Sequence, residues 1–141
     1  MKNLKLFSFA LLAVVFALGT SCGKYEEGPG FSLRTKTARI AGEWKAEKFV
    51  FANGTTVNAD ADDNSTWIIE KDGTFTLNST DGGQSFTLSG TWQFTKDKEY
   101  FEMTLSFFGQ TDVSESKIVR LTNSEFWFED EDGDQTHLIP A

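Results

Sequence analysis

Ser85-Phe86-Thr87-Leu88-Ser89-Gly90-Thr91-Trp92-Gln93-Phe94 is the stretch that decides the fold. Phe86, Leu88, Gly90, Trp92 and Phe94 fall on one face of an extended chain, and Ser85, Thr87, Ser89, Thr91 and Gln93 on the other. Successive side chains of a strand point to opposite faces, so this run predicts a half-buried strand, apolar inward and polar outward. Phe101, Met103, Leu105 and Phe107 repeat the pattern against Glu102, Thr104 and Ser106. Further strands are expected at 43–51, 65–70, 74–78, 113–121, 125–131 and 135–139, which makes eight, with 55–58 as a short ninth.

The joints between these runs carry hairpin chemistry. Asn53-Gly54, Asp72-Gly73 and Asp132-Gly133 are dipeptides favoured in two-residue turns that need positive φ. Gly82-Gly83, Asp97, Gly109 and Asn123 mark the others. Trp67 precedes Asp72-Gly73 by the same interval that separates Trp127 from Asp132-Gly133, so two similar hairpins are expected. No stretch between strands is long enough for a crossover helix. The expected fold is therefore all-β, an eight-stranded antiparallel up-and-down barrel, whose closure removes its edges. The one helical stretch is 31–41, with Ser32 as its cap and Leu33, Ala38 and Ile40 as its apolar positions. It is too short to stand alone and must lean on the barrel.

Three segments divide the chain. Residues 1–21 carry Lys2 and Lys5, an apolar run from Leu6 to Leu18, then Gly19, Thr20 and Ser21. This order is that of a secretory signal. The apolar run is too short to span a bilayer core of ~30 Å comfortably, which ranks an uncleaved membrane anchor second. Residues 22–30 are rich in glycine and charge and read as a tether, and residues 31–141 form the domain. Cys22 is the only cysteine, which rules out an intramolecular disulfide and a cysteine-based zinc site. Without residues 1–21 the chain holds 11 basic and 21 acidic side chains, a net charge of −10. Such a surface repels nucleic acid and anionic headgroups, so no nucleic-acid partner is expected.

Leu18-Gly19-Thr20-Ser21-Cys22 resembles a lipobox, in the looser form found in Bacteroidetes-type lipoproteins; Gly19 stands where leucine is usual. The resemblance implies a diacylglyceryl thioether on Cys22 and an N-terminal acyl chain such as palmitate. Two or more chains anchor stably, at ~0.8 kcal/mol per buried methylene. It also implies localisation at the outer membrane. Lys24, Glu26 and Glu27 resemble the charged signal that sends some such lipoproteins to the cell surface, and they read equally as a solvated linker.

Gly42-Glu43-Trp44, placed after the lone helix and before the strands, resembles the G-x-W motif of lipocalins. There a short helix closes the barrel bottom and the tryptophan packs beneath it. The stretch 32–139 resembles the lipocalin-like domain lipoproteins of Bacteroidetes-type bacteria. The Thr-Asp-Tyr motif of lipocalins is missing, no arginine follows the last strand, and the Arg-x-Tyr clamp of fatty-acid-binding proteins has no match. The resemblance implies architecture more than ligand chemistry.

The candidate barrel interior is Trp44, Phe75, Leu77, Phe86, Leu88, Gly90, Trp92, Phe94, Met103, Leu105 and Phe126. Two readings stand: these residues line a pocket for a small apolar ligand, or they fill the barrel, since eight strands leave room for side chains or one small ligand. Gly90, among bulky neighbours, is the expected place of local space, or else of a strand bend. Asp130, Glu131, Asp132 and Asp134 around Gly133, and Asp60, Asp62, Asp63 and Asn64, read as solvated loops rather than calcium sites. His137, the only histidine, is expected at the surface or rim. Asn53, Asn64 and Asn78 begin N-x-Ser/Thr triplets and read as turn residues. No serine elbow or paired histidine is present, so no catalytic residue, metal or cofactor is assigned and no enzyme is expected. The expected function is a lipid-anchored, non-enzymatic binding module for a small apolar ligand. The alternative is a structural or protein-interaction envelope lipoprotein with a filled barrel. A hydrolase or isomerase built on paired carboxylates ranks last.

Overall fold

The computed structural model describes residues 33–60, 64–81 and 83–141. The signal, Cys22, the tether, Ser32, Asp62, Asp63 and Gly82 lie outside the described residues. Nine strands follow one short helix: β1 (Gly42–Val50), β2 (Thr56–Asn58), β3 (Thr66–Ile69), β4 (Thr74–Asp81), β5 (Gln84–Thr95), β6 (Tyr100–Phe107), β7 (Gln110–Leu121), β8 (Phe126–Glu129) and β9 (Gln135–Pro140). Each pairs antiparallel with its successor from β3 onward, and β9 returns to β1. Eight strands thus close into a barrel, and β2 is an extra strand. β1 is the hub. It pairs with β9 along one edge, and with β3 and then β2 along the other.

The helix, α1 (Lys36–Ile40), is shorter than the sequence pattern suggests. It starts at Thr35, whose hydroxyl accepts the Ala38 N–H at 3.1 Å, satisfying one of the free donors of the first turn. Arg34 donates to the Ala38 carbonyl at 2.8 Å and to Asn123 Oδ1 at 3.2 Å. Arg39 is buried and donates to the Leu121 carbonyl at 3.1 Å. These bonds lay α1 across the ends of β1 and β7.

Three turns share one design that differs from the expected two-residue form. In 51–55, 70–74 and 130–134 the first residue accepts from the glycine N–H and donates to the carbonyl of the fifth residue. Only Gly54, Gly73 and Gly133 take positive φ, while Asn53, Asp72 and Asp132 do not. This is a type I turn with a glycine bulge, a three-residue loop. The carboxylates of 130–134 serve as acceptors: Asp130 Oδ1 takes the N–H groups of Asp132 and Asp134, and Asp134 Oδ1 takes that of Ala52.

The core is Ile40, Trp44, Ile69, Phe75, Trp92, Phe101, Met103, Ile118, Leu121, Phe126, Phe128 and Leu138. Its aromatic rings meet edge-on or tilted, with Phe101–Phe126 centroids 5.4 Å apart and Phe126–Phe128 5.2 Å apart. Burial of each such ring contributes about 1.5–3 kcal/mol.

Gly90 does not open space. A Cβ there would lie 2.0 Å from the Thr104 carbonyl oxygen, so the glycine serves a close approach of β6 to β5. Gly90→Ala should therefore force the two strands apart. We expect a loss of about 2–3 kcal/mol, as for overpacked interiors, read from urea unfolding. Unchanged stability would show that β6 can move aside freely.

Candidate functional site

The barrel has two unlike ends. One is closed by α1 and by the turns that follow β3, β5 and β7. There the Trp44 indole, 3% exposed, donates to the Ile40 carbonyl at 2.8 Å and meets Phe126 edge-on at 5.9 Å. Of the sequence-derived interior set, Trp44, Phe75, Trp92, Met103 and Phe126 all lie in this packed region. Trp92 also donates its indole N–H to the Glu70 carbonyl at 2.8 Å. Phe94 is half-buried against Trp92, with ring centroids 5.2 Å apart.

The other end is open. Above Phe75 and Met103 come Leu77, Leu88 and Leu105, all half-buried. Leu77 pairs directly with Leu88, and Leu105 with Gly90. The β5–β6 pairing stops at Gly90 and Leu105, although β5 begins at Gln84 and β6 runs to Phe107. The β4–β5 and β6–β7 hairpins therefore part and project separately. Phe86 sits on the projecting part of β5 and is 49% exposed, so it is a rim residue and not an interior one. The periodicity placed it on the right face but not at the right height. Asp112 and Ser114 pair with Leu105 and Met103 on the inward face of β7, yet both are exposed. Inside the same end Ser65 and Ser79 bring their hydroxyls within 2.9 Å.

The β6–β7 hairpin ends in Phe107-Phe108-Gly109-Gln110. Phe107 is 40% exposed and Phe108 104%. Phe108 takes φ +48° and Gly109 φ +77°, with Phe107 and Gln110 paired across them. A left-handed residue other than glycine or asparagine costs about 1–2 kcal/mol.

Two features escaped the sequence. The first is a half-open groove of about 770 Å³ where β8 stops short of β7, lined among others by Lys96, Tyr100, Glu115, Lys117, Glu129 and Asp130. Lys96, Asp97 and Lys98 beside it all take positive φ. Lys96 bonds the Glu115 carboxylate, Thr95 Oγ1 donates to the same carboxylate at 2.7 Å, and the Lys96 ammonium stands 4.0 Å from the Tyr100 ring centre. The hydrogen bond with Lys96, followed by that from Thr95, holds Glu115 below its ordinary pKa, and the same bond raises Lys96. The second is a row across the outer face: Arg120, Trp127, His137 and Lys48 stand opposite one another on four strands. His137 is not an exposed rim residue. It is 5% exposed and stacks on Trp127 at 4.0 Å. Only the register of four strands brings these residues together, which explains why no local pattern announces them.

Residues 40–128 match the family model described as a lipocalin-like domain. No curated protein matches the chain. Among solved structures it is similar to a lipocalin-like protein from Bacteroides uniformis ATCC 8492, with a TM-score of 0.61, 19% identity, and coverage of 73% of this chain and 99% of that one. It is also similar to an uncharacterized protein from Bacteroides eggerthii DSM 20697, with a TM-score of 0.58, 16% identity, and coverage of 72% and 98%. At these identities the likeness is one of fold.

Phe108→Asn should stabilise the chain by about 1 kcal/mol, because asparagine tolerates the left-handed turn, as a shift of the urea midpoint would show. Glu115→Gln tests the groove. A depressed carboxylate stabilises above its ordinary value of 4.5, and that contribution fades as pH falls through its lowered folded value. A raised lysine stabilises below 10.5 and loses that as pH rises further. Wild type should therefore exceed E115Q in stability between those limits and converge with it in strong acid, by thermal melts across pH. Parallel profiles at all pH values would remove the pair from the stability of the groove.

Proposed function

The chain belongs to the lipocalin-like domain family, and on that footing we propose that it is a lipid-anchored envelope binding module whose open barrel end receives a small apolar ligand. The observation that carries this is the asymmetry of the barrel. One end is sealed by Trp44, Phe126 and α1, and the other carries an apolar patch of Leu77, Leu88 and Leu105 on the adjacent strands β4, β5 and β6, under a rim of Phe86 and Phe107. Ser79, Ser114 and Asp112 stand at the same mouth. Binding sites of this kind combine an apolar lining with a few polar groups that fix orientation. Attachment at the outer membrane through an acylated Cys22 is part of the proposal, supported by the signal-like order of residues 1–21. The ligand of this reading has an apolar body that reaches only the upper half of the barrel, because rings fill the lower half.

A second reading has one observation in its favour. The groove of about 770 Å³ opens on the flank of the barrel, among acidic side chains; it shares Asp112 and Ser114 with the mouth, but none of the sequence-derived interior residues lines it. A barrel filled by its own side chains that meets an envelope protein along this flank would use that groove instead of the mouth.

Native mass spectrometry and tryptophan fluorescence separate the two. The first reading expects a co-purified apolar molecule, or a fluorescence response to fatty acids. It also expects Leu88→Glu to weaken that binding about tenfold or more, as the loss of one buried leucine contact implies. Binding that survives L88E, or no response to any apolar probe, would favour the flank. Cys22→Ser should abolish incorporation of labelled palmitate; continued labelling would end the anchor assignment.

A further inference from the structure

We propose that the β6–β7 hairpin tip, with Phe108 at its apex, inserts into the surface of an uncharged, zwitterionic lipid bilayer, the same one that holds the acyl chains of Cys22. The inference rests on the anchor reading above and adds the surface that faces the membrane.

Three observations meet at this tip. The Phe108 side chain is fully exposed and Phe107 is 40% exposed, with Phe86 and Val113 exposed at the same barrel end. From Ser106 to Thr111 the chain holds no charged residue, in a protein that is 24% charged. Ser106, Gln110 and Thr111 surround the two rings with hydroxyl and amide groups suited to headgroup depth. Finally, Phe108 keeps a left-handed backbone that asparagine or glycine would adopt more easily, and its ring stands fully exposed.

The charge balance selects the occupant. Without residues 1–21 the net charge is −10, which repels an anionic surface and opposes close approach of a second identical chain, while a zwitterionic surface presents no net field to an uncharged tip. Chain length permits the geometry. The tip lies at the opposite end of β7 from α1, and a strand of that length, tilted as in a barrel, rises about 30 Å. The 13 residue steps from Cys22 to Thr35 span up to ~45 Å when extended, enough to return past the barrel to the same bilayer.

The test uses the mature acylated protein in phosphatidylcholine vesicles, with an environment-sensitive dye on Phe108→Cys. Mass spectrometry first establishes acylation, which also blocks the Cys22 sulfur. The dye should shift to the blue on reconstitution and be quenched by doxyl lipids severalfold more than the same dye on Ser124→Cys, in the turn beside α1. Deleting residues 24–30 leaves a reach of about 21 Å, so the protein should stay on the vesicle while quenching at position 108 is lost. A water-exposed dye at 108, stronger quenching at 124, or quenching that survives the deletion would each overturn the proposal. So would a blue shift without vesicles that grows with protein concentration, the mark of a second copy. If Cys22 proves unacylated, only the anchor assignment fails. F108C in a Cys22→Ser background is then offered the same vesicles as soluble protein: partition with quenching at 108 supports the tip, and its absence overturns it.

Discussion

The hydrogen bond from the Trp44 indole to the Ile40 carbonyl joins the two parts of the molecule that must meet for the barrel to have a bottom. Ile40 is the last residue of α1, and the last carbonyls of a helix have no partner within it. The indole satisfies one of them and places its ring edge-on to Phe126. Trp44 also pairs with Trp67 on β3 and Pro140 on β9, so the residue that receives the helix belongs to the strand that closes the sheet. Helix docking, closure and ring packing at this end thus share one residue.

Filling one end of an eight-stranded barrel leaves little to decide there and much at the other. Phe101, Phe126 and Phe128 occupy the middle with Trp67 against them. The walls then diverge. At Gly90 the β6 backbone comes as close to β5 as a glycine allows, and immediately beyond it the ladder ends. The last tight contact of the wall is therefore also the hinge line at which two hairpins separate. Leu77, Leu88 and Leu105 lie at that level, which makes them the boundary between packed core and accessible mouth.

This boundary marks how far local sequence reaches. The alternation from Phe86 to Phe94 and the Asp-Gly joints were enough for strand number, order and closure, because both signals act over a few residues. The place of Trp44 beneath a short helix came instead from the likeness of Gly42-Glu43-Trp44 to the G-x-W motif. Height along the barrel was not. Phe86 and Phe94 look equivalent in a period-two pattern, but only Phe94 has β6 alongside it. Gly90 looked like missing volume, and the volume is taken by the Thr104 carbonyl of another strand. His137 and Trp127 share a stack only because β8 and β9 pair in one register and not the next. The turn type was misjudged for a subtler reason: Asp-Gly suits both a two-residue loop and a bulged three-residue loop, and hydrogen bonds one residue further out choose between them. The site residues that depend on partner strands were out of reach in principle, whereas the faces they occupy were not.

The two left-handed turns separate local strain that the fold answers from strain that it does not. Lys96, Asp97 and Lys98 are held by bonds nearby: Lys96 to Glu115 and over Tyr100, the Glu99 N–H to the Lys96 carbonyl at 3.1 Å, and the Ile118 N–H to the Glu99 carbonyl at 2.9 Å. That turn is strained because its neighbours fix it. Phe108 has the same backbone hand and a ring wholly in solvent. At about 1–2 kcal/mol its strain is small beside the burial of a dozen core side chains, so the fold tolerates it without rewarding it. A tolerated cost that an asparagine would remove, attached to the most exposed aromatic ring described in the chain, is best explained by a contact outside the chain.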